Sequence, residues 1–218
     1  MALYLDSASV EDARRAAGLG YVAGITTNPA LVAATGRPGL DVLAELCETH
    51  PGAIFYQPIA DSPEEREAEV RSAAAIRPAR VVPKLPSTAE NFALAARLVG
   101  DGIPVAMTAI FSPAQAFLAC QVGARSILPY VNRSSRLLGD GNALVRSMRD
   151  VINASAGSVE IIAASLKSPD EAMAALLAGA HSLTLPLALI AELGRDELSE
   201  QAIAEFRRAA NEPRARER

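Results

Sequence analysis

A closed, parallel (β/α)8 TIM barrel followed by an extra C-terminal helix is the fold this sequence predicts, and three observations predict it. Short β-branched runs alternate with amphipathic, alanine-rich stretches along the whole chain, eight times over. Most of the runs stop at a proline or at a Ser-Pro pair that opens a helix. Polar residues gather at the ends of the runs, where a barrel of this kind carries its chemistry. The 218 residues are fewer than the roughly 250 typical of such barrels. The competing arrangement, an open doubly wound sheet, lacks its mark, because no glycine-rich phosphate turn follows the first strand.

The first strand covers about Leu3 to Asp6, and Ser7 or Ser9 caps a helix from Val10 to Leu19. Glu11 and Asp12 fall in its first turn, where the helix dipole favours negative charge. Gly24 to Asn28 form the second strand, stopped by Pro29, and helical pattern follows through Leu31 to Ala34 and from Leu40 to Glu48. The third strand is Ala53 to Gln57, ended by Pro58; Ser62-Pro63-Glu64-Glu65 opens the next helix with a cap, a proline and two acids. Arg80 to Ser87 is the fourth strand, followed by a helix from Thr88 to about Val99 that Gly100 to Gly102 terminate. Val105 to Ala109 is the fifth, with a helix from Ser112-Pro113 to about Val122, and Ser126 to Asn132 is the sixth. Gly139 to Gly141 lead into a long helix ending near Ala154, and Glu160 to Ser165 is the seventh strand. Ser168-Pro169 opens a helix that Gly179 closes, Ser182 to Leu185 is the eighth strand, and a helix from Pro186 to Leu193 follows. A last helix within 196–210 completes a single domain, with 211–218 expected to fray.

Half of the residues are hydrophobic but only 4% are aromatic and Trp is absent, so small aliphatic side chains build the core. A net charge of -4, from 21 basic and 25 acidic residues, argues against a nucleic-acid surface. The tail is locally basic, but Arg214, Arg216 and Arg218 alternate with Glu212 and Glu217, the pattern of a solvated end. The N-terminal residues carry no basic and apolar leader pattern, and no apolar run reaches the roughly 18 residues of a membrane span, so a cytoplasmic protein is expected. Cys47 and Cys120 are expected as two buried free thiols in a reducing compartment. His50 and His181 lack ligand spacing, and neither a P-loop nor a GxGxxG turn is present, so no metal or cofactor is expected.

The chain is organised around Arg80-Val81-Val82-Pro83-Lys84-Leu85-Pro86-Ser87, which sets a lysine at the mouth of a strand. An ε-amine attacks a ketone only when neutral, and a desolvated site lowers its pKa from about 10.4 toward neutrality. Read alone, Lys84 is more readily a charge that blunts a strand end in water, since lysine is rarely buried. The other strand ends decide between the two. They carry Asp6, Thr26 and Asn28, Gln57, Thr108, Tyr130 and Asn132, and Ser165, so that with Lys84 seven of eight ends bear a hydrogen-bonding or ionisable group. Thr26 and Asn28 share strand parity, as do Tyr130 and Asn132, and each pair is expected to point into the mouth. Polar groups are costly to bury unless used or satisfied, so such a ring around one lysine reads as a catalytic site. Thr108 and Asn28 also suit purely structural roles.

These residues carry a resemblance. Leu5-Asp6-Ser7, Gly24-Ile25-Thr26-Thr27-Asn28-Pro29, Val82-Pro83-Lys84-Leu85-Pro86, Pro129-Tyr130-Val131-Asn132-Arg133, Ala163-Ala164-Ser165 and Thr184-Leu185-Pro186-Leu187 resemble the small transaldolase and fructose-6-phosphate aldolase family, in order and at its spacing. The resemblance implies a metal-free Schiff-base aldolase on a barrel, acting on sugar phosphates and aldehydes and built as a homo-oligomer, a pentamer or a decamer of two rings. It implies that Lys84 forms the Schiff base, Asp6 assists proton transfer, Asn28 and Ser165 hold substrate hydroxyls or phosphate, and Arg133 binds phosphate, as a guanidinium fork suits. The candidate catalytic set is Lys84, Asp6, Tyr130, Gln57 and Thr108; the candidate substrate-binding set is Thr26, Asn28, Asn132, Arg133 and Ser165.

Two positions separate the branches of that family. Its transaldolases carry Phe and Glu where this chain has Tyr130 and Gln57, and its aldolases carry Tyr and Gln. A phenol can hold water and pass a proton to an enamine, so the resemblance implies cleavage of a ketose phosphate rather than transfer to an acceptor. Ile110-Phe111-Ser112 follows the transaldolase pattern instead, Pro83 replaces the family's valine, and Pro58 is unusual. The alternatives are therefore transaldolase chemistry with erythrose 4-phosphate as acceptor, and a non-catalytic barrel that binds sugar phosphates.

Overall fold

Eight parallel strands pair in chain order and close on themselves: β1 (Leu3–Asp6), β2 (Gly24–Thr26), β3 (Ala53–Tyr56), β4 (Val81–Pro86), β5 (Ala106–Ile110), β6 (Ser126–Pro129), β7 (Glu160–Ala163) and β8 (Ser182–Leu185). Closure is made by β8 lying back on β1, with Leu3 opposite Leu183 and Leu5 opposite Leu185. The computed structural model describes residues 1–155 and 157–211; of the tail expected to fray over 211–218, Asn211 is the last residue of a helix and 212–218 lie outside the described residues. Around the barrel run α1 (Val10–Leu19), α2 (Pro29–Ala33), α3 (Gly39–Thr49), α4 (Pro63–Ile76), α5 (Ala89–Gly100) and α6 (Pro113–Gln121). They are followed by α7 (Val131–Leu138), α8 (Gly141–Ala154), α9 (Pro169–Leu177), α10 (Leu187–Glu192) and α11 (Glu197–Asn211). No described helix is long and apolar enough to cross a membrane.

The caps read from the sequence do the work assigned to them. Ser9, Ser62, Thr88, Ser112 and Ser168 each accept a hydrogen bond from the backbone N–H three residues on, satisfying a donor the first helical turn leaves free. Asn28 does the same for α2, accepting from Leu31, so the second strand ends at Thr26 rather than at Asn28.

Strand periodicity builds the barrel in layers. The residue two before each strand-end group points the same way as that group, and Tyr4, Phe55, Val82, Ala106, Leu128, Ile162 and Ala164 form one buried cluster inside the barrel. Asp6, Gln57, Lys84, Thr108 and Tyr130 follow these residues at a spacing of two and stand one layer above them. The alternate residues, among them Leu5, Ile25, Ile54, Leu85, Met107, Ile127, Ile161 and Leu183, face outward into the larger cluster under the helices. Between β2 and β3 the backbones approach so closely that a Cβ on Gly24 would lie 2.2 Å from the Ala53 carbonyl oxygen, and only glycine fits.

Three sequence expectations are corrected. The sixth strand stops at Pro129, and Tyr130 turns the chain (φ -92°, ψ 84°) straight into α7, which places Asn132 and Arg133 on a helix. Nothing in the sequence announced that helix, because its N-cap is Tyr130 and makes no side-chain capping bond. The seventh strand stops at Ala163, and Ser165 lies beyond it in the left-handed region at φ 62°. Cys47 is a buried free thiol as expected, but Cys120 is only half-buried.

The unusual Pro83 sits inside β4 without breaking it. Pairing with β3 ends at Tyr56 opposite Pro83, and pairing with β5 begins at the next residue, Lys84 opposite Ala106. The residue without an N–H thus stands where the strand changes partners.

Candidate active site

A cavity of about 470 Å³ opens at the C-terminal ends of the strands. Eight of the ten residues singled out in the sequence line it: Asp6, Thr26, Asn28, Gln57, Lys84, Tyr130, Arg133 and Ser165. Thr108 and Asn132 are the two that do not.

Lys84 is only 3% exposed, standing on the apolar layer at Val82. Desolvation destabilises its ammonium form and lowers the pKa from 10.5 to about 8; the negative charge of Asp6 opposes this without cancelling it. The Asp6 carboxyl is in turn pushed up by desolvation, while the Lys84 charge, a hydrogen bond from Thr26 and the charge of Lys167 pull it back. Burial thus brings both groups toward the neutral forms that proton exchange near neutral pH requires.

Asp6 is oriented by hydroxyls. β1 and β2 pair with Asp6 opposite Thr26, and Thr26 Oγ1 donates to Asp6 Oδ1 at 3.0 Å. Thr26 Oγ1 also lies 2.6 Å from Thr184 Oγ1. A hydroxyl has one proton, so with Thr26 donating to Asp6 the donor in this second bond is Thr184. The chain Thr184 to Thr26 to Asp6 favours the carboxylate. Thr184 was missed as a site residue because it sits in the apolar stretch Leu183 to Leu185; its parity with Ser182 was the signal that it faces inward.

Tyr130 is held from three sides. Thr108 Oγ1 donates to the phenol oxygen at 3.3 Å, which leaves the phenol's own proton for a partner in the cavity. Phe111 meets its ring edge-on at 6.1 Å, and the Arg133 guanidinium lies 4.8 Å from the ring centroid. A bulge between Thr108 and Ile110, with Ala109 at φ 55°, interrupts the β5–β6 register where Thr108 meets Tyr130. Thr108 therefore acts behind Tyr130 rather than in the cavity. Gln57 contributes a different feature: its Oε1 is buried without a hydrogen-bond partner among the described residues, an acceptor free for a hydroxyl.

Two cations stand at the rim, Arg133 in the first turn of α7 and Lys167 in the turn between β7 and α9. Sequence reading found the first and missed the second, although Lys167 follows Ser165 by two residues. Asn132, expected to bind substrate, instead donates its Nδ2 to Glu171 Oε1 at 2.8 Å. The helical turn after Pro129 cancels the strand parity that would have aimed it into the mouth.

Comparison with known proteins gives a family and a fold. The family model described as Transaldolase/Fructose-6-phosphate aldolase matches residues 3–217. A probable transaldolase of Caulobacter sp. (strain K31) is 36% identical over 206 residues, covering 94% of each chain. A probable transaldolase of Thermus thermophilus (strain ATCC 27634) is 37% identical over 215 residues, covering 94% of this chain and 96% of the relative. Among solved structures, a mandelate oxidase variant superposes with a TM-score of 0.60 at 17% identity, over 86% of this chain; this chain spans 64% of that one, and the likeness is one of fold alone.

Proposed function

The chain belongs to the transaldolase/fructose-6-phosphate aldolase family and is an enzyme of the aldolase-like or transaldolase-like type, and from that premise we propose that it cleaves fructose 6-phosphate, or a similar ketose phosphate, through a Schiff base on Lys84. The observation that carries this reading is a lysine almost wholly buried at the mouth of the barrel, with its pKa lowered to about 8, in one cavity with Asp6 and Tyr130.

Neutral Lys84 attacks the C2 carbonyl, and loss of water gives an iminium. The C3–C4 bond then breaks, its electron pair moving into the iminium to form an enamine while the C4 hydroxyl gives up its proton. Glyceraldehyde 3-phosphate leaves. Protonation of the enamine at C3 and hydrolysis of the resulting iminium release dihydroxyacetone and restore the amine. Asp6 and a water held by Tyr130 carry these protons, Gln57 and Asn28 receive substrate hydroxyls, and Arg133 with Ser165 receives the phosphate.

The transfer reading is favoured by the names of the relatives and by Phe111 packed on Tyr130. The two separate in one assay: fructose 6-phosphate supplied alone should yield glyceraldehyde 3-phosphate steadily. Release that waits for erythrose 4-phosphate would replace the aldolase reading with the transferase one.

A cytoplasmic homo-oligomer, pentamer or decamer, belongs to the same proposal. Its support is α11, which buries none of its residues and leaves Leu198 and Phe206 more than 70% exposed, at 73% and 74%. Sedimentation velocity should find a species of at least five copies; a monomer at micromolar concentration would remove this part.

A further inference from the structure

The geometry points to Glu171 as a positioning residue that sets the separation of the two rim cations and so favours a phosphorylated substrate over its unphosphorylated counterpart. This rests on the reading that the cavity takes sugar phosphates.

Arg133 and Lys167 are both exposed and belong to separate elements, so packing alone does not hold their spacing. One carboxylate joins those elements. Glu171 Oε1 accepts from Asn132 Nδ2 at 2.8 Å, and Oε2 accepts from the backbone N–H of Lys167 at 2.9 Å. The tie therefore grips the neighbour of one cation and the backbone of the other.

Helix capping accounts for only half of this arrangement. Glu171 is the third residue of α9, and its own N–H is capped by Ser168 Oγ at 3.2 Å. Gln115, at the same position in α6, uses its one oxygen for the backbone N–H groups of Phe111 and Ser112 at its own helix start, and its Nε2 for the Ser87 carbonyl after β4. Glu171 uses one oxygen that way and turns the other to a residue 39 positions away, on a different helix. That second bond does nothing for α9. Its effect is to fasten the start of α7 to the turn that carries Ser165 and Lys167.

Charge and positioning make opposite predictions. A carboxylate beside two cations weakens anion binding, so on charge alone Glu171→Ala strengthens it. On positioning, Glu171→Ala weakens binding, because both acceptors are lost; Glu171→Gln would keep the tie, its amide donating to Asn132 Oδ1 once that side chain turns over and accepting from the Lys167 N–H. Asn132→Asp alone sets two carboxylates against each other and also opens the tie. Glu171→Gln combined with Asn132→Asp restores the parent charge and both bonds, the amide donating to the new carboxylate and accepting from the Lys167 N–H.

The test measures KM for fructose 6-phosphate in the cleavage assay and the Kd of inorganic phosphate by phosphorus NMR titration, in the parent, in the single variants Glu171→Ala and Asn132→Asp, and in the double variant Glu171→Gln with Asn132→Asp. Each single variant should raise both constants by about five- to tenfold, and the double should return them to within about twofold of the parent. Borohydride trapping of dihydroxyacetone, which has no phosphate, should be equally efficient in all four. Unchanged or tighter phosphate binding in Glu171→Ala, a double variant no better than Asn132→Asp, trapping that falls together with phosphate affinity, or no saturable phosphate binding in the parent would each overturn the assignment. A parent that binds phosphate but yields no adduct sinks the Schiff-base reading instead, and the titration still decides Glu171.

Discussion

Lys84→Met should cut turnover of fructose 6-phosphate by roughly 10⁴-fold or more, since no neighbouring group can replace the electron sink that the iminium provides. Borohydride with dihydroxyacetone should add one three-carbon unit to the parent, read by intact mass and mapped to Lys84, and nothing to the variant. The variant should still fold. Lys84 is buried with its ammonium form disfavoured, so an unbranched apolar side chain of similar length removes a desolvation cost. A folded Lys84→Met protein that kept its cleavage activity would end the mechanism.

The same lysine sets the pH dependence. The amine must be neutral to attack, so kcat/KM for the ketose should rise with pH and level off above about 8. At pH 7.5 roughly a quarter of such a lysine is neutral, against about a thousandth of an ordinary one. Stability follows the same sign. Because the folded pKa lies below the unfolded value of 10.5, the unfolded chain binds more protons between about pH 8 and 10.5. This group's contribution to stability therefore rises with pH across that window, and its cost is fully present below pH 8. A rate profile flat from pH 6 to 9 would remove the assigned role of the free amine.

Tyr130→Phe should separate release from transfer. It removes the phenol proton while keeping the ring that Phe111 and Arg133 pack against. Loss of an acid–base group costs about 10²–10³-fold, and that loss should fall on acceptor-free formation of dihydroxyacetone. Adduct formation on Lys84 and transfer of the unit to erythrose 4-phosphate should survive. The Thr108 hydroxyl loses its partner, so a stability loss of about 1 kcal/mol should accompany the change. Equal losses in release and transfer would show that the phenol is not what protonates the enamine.

The barrel was legible because its signals are local. A proline after a β-branched run, a Ser-Pro pair before an alanine-rich stretch and strand parity act within a few residues, and Ser62, Ser112 and Ser168 cap the helices their sequence announces. Lys84, Asp6 and Thr26 were legible for the same reason, since each lies in a strand that the sequence announces, although β2 stops two residues short of the expected Asn28. Errors arose where the chain leaves a strand without a marker. Past Pro129 the parity rule no longer holds, so Asn132 was aimed into the cavity when it belongs to a tie made by Glu171, 39 residues on. Lys167 and Thr184 failed in opposite ways. One is an exposed cation like many others, and the other is a hydroxyl between two leucines; only closure of the barrel brings them to the same cavity.

The apolar layer beneath the site is uneven. Under β1 and β3 it is raised by Tyr4 and Phe55, whose rings meet edge to face at 5.4 Å. Towards β5 it falls to Ala106, whereas β7 fills it with Ile162 and sets Ala164 beside Tyr130, in the surface of the cavity. The small Ala164 side chain leaves space beside Tyr130 and Ser165, so the length of chain a substrate can extend beyond Lys84 is set in part by a side chain that carries no chemistry. Enlarging Ala164 would shorten the acceptable substrate without altering a single polar contact, and the substrate range of this barrel can therefore be redrawn at a residue that binds nothing.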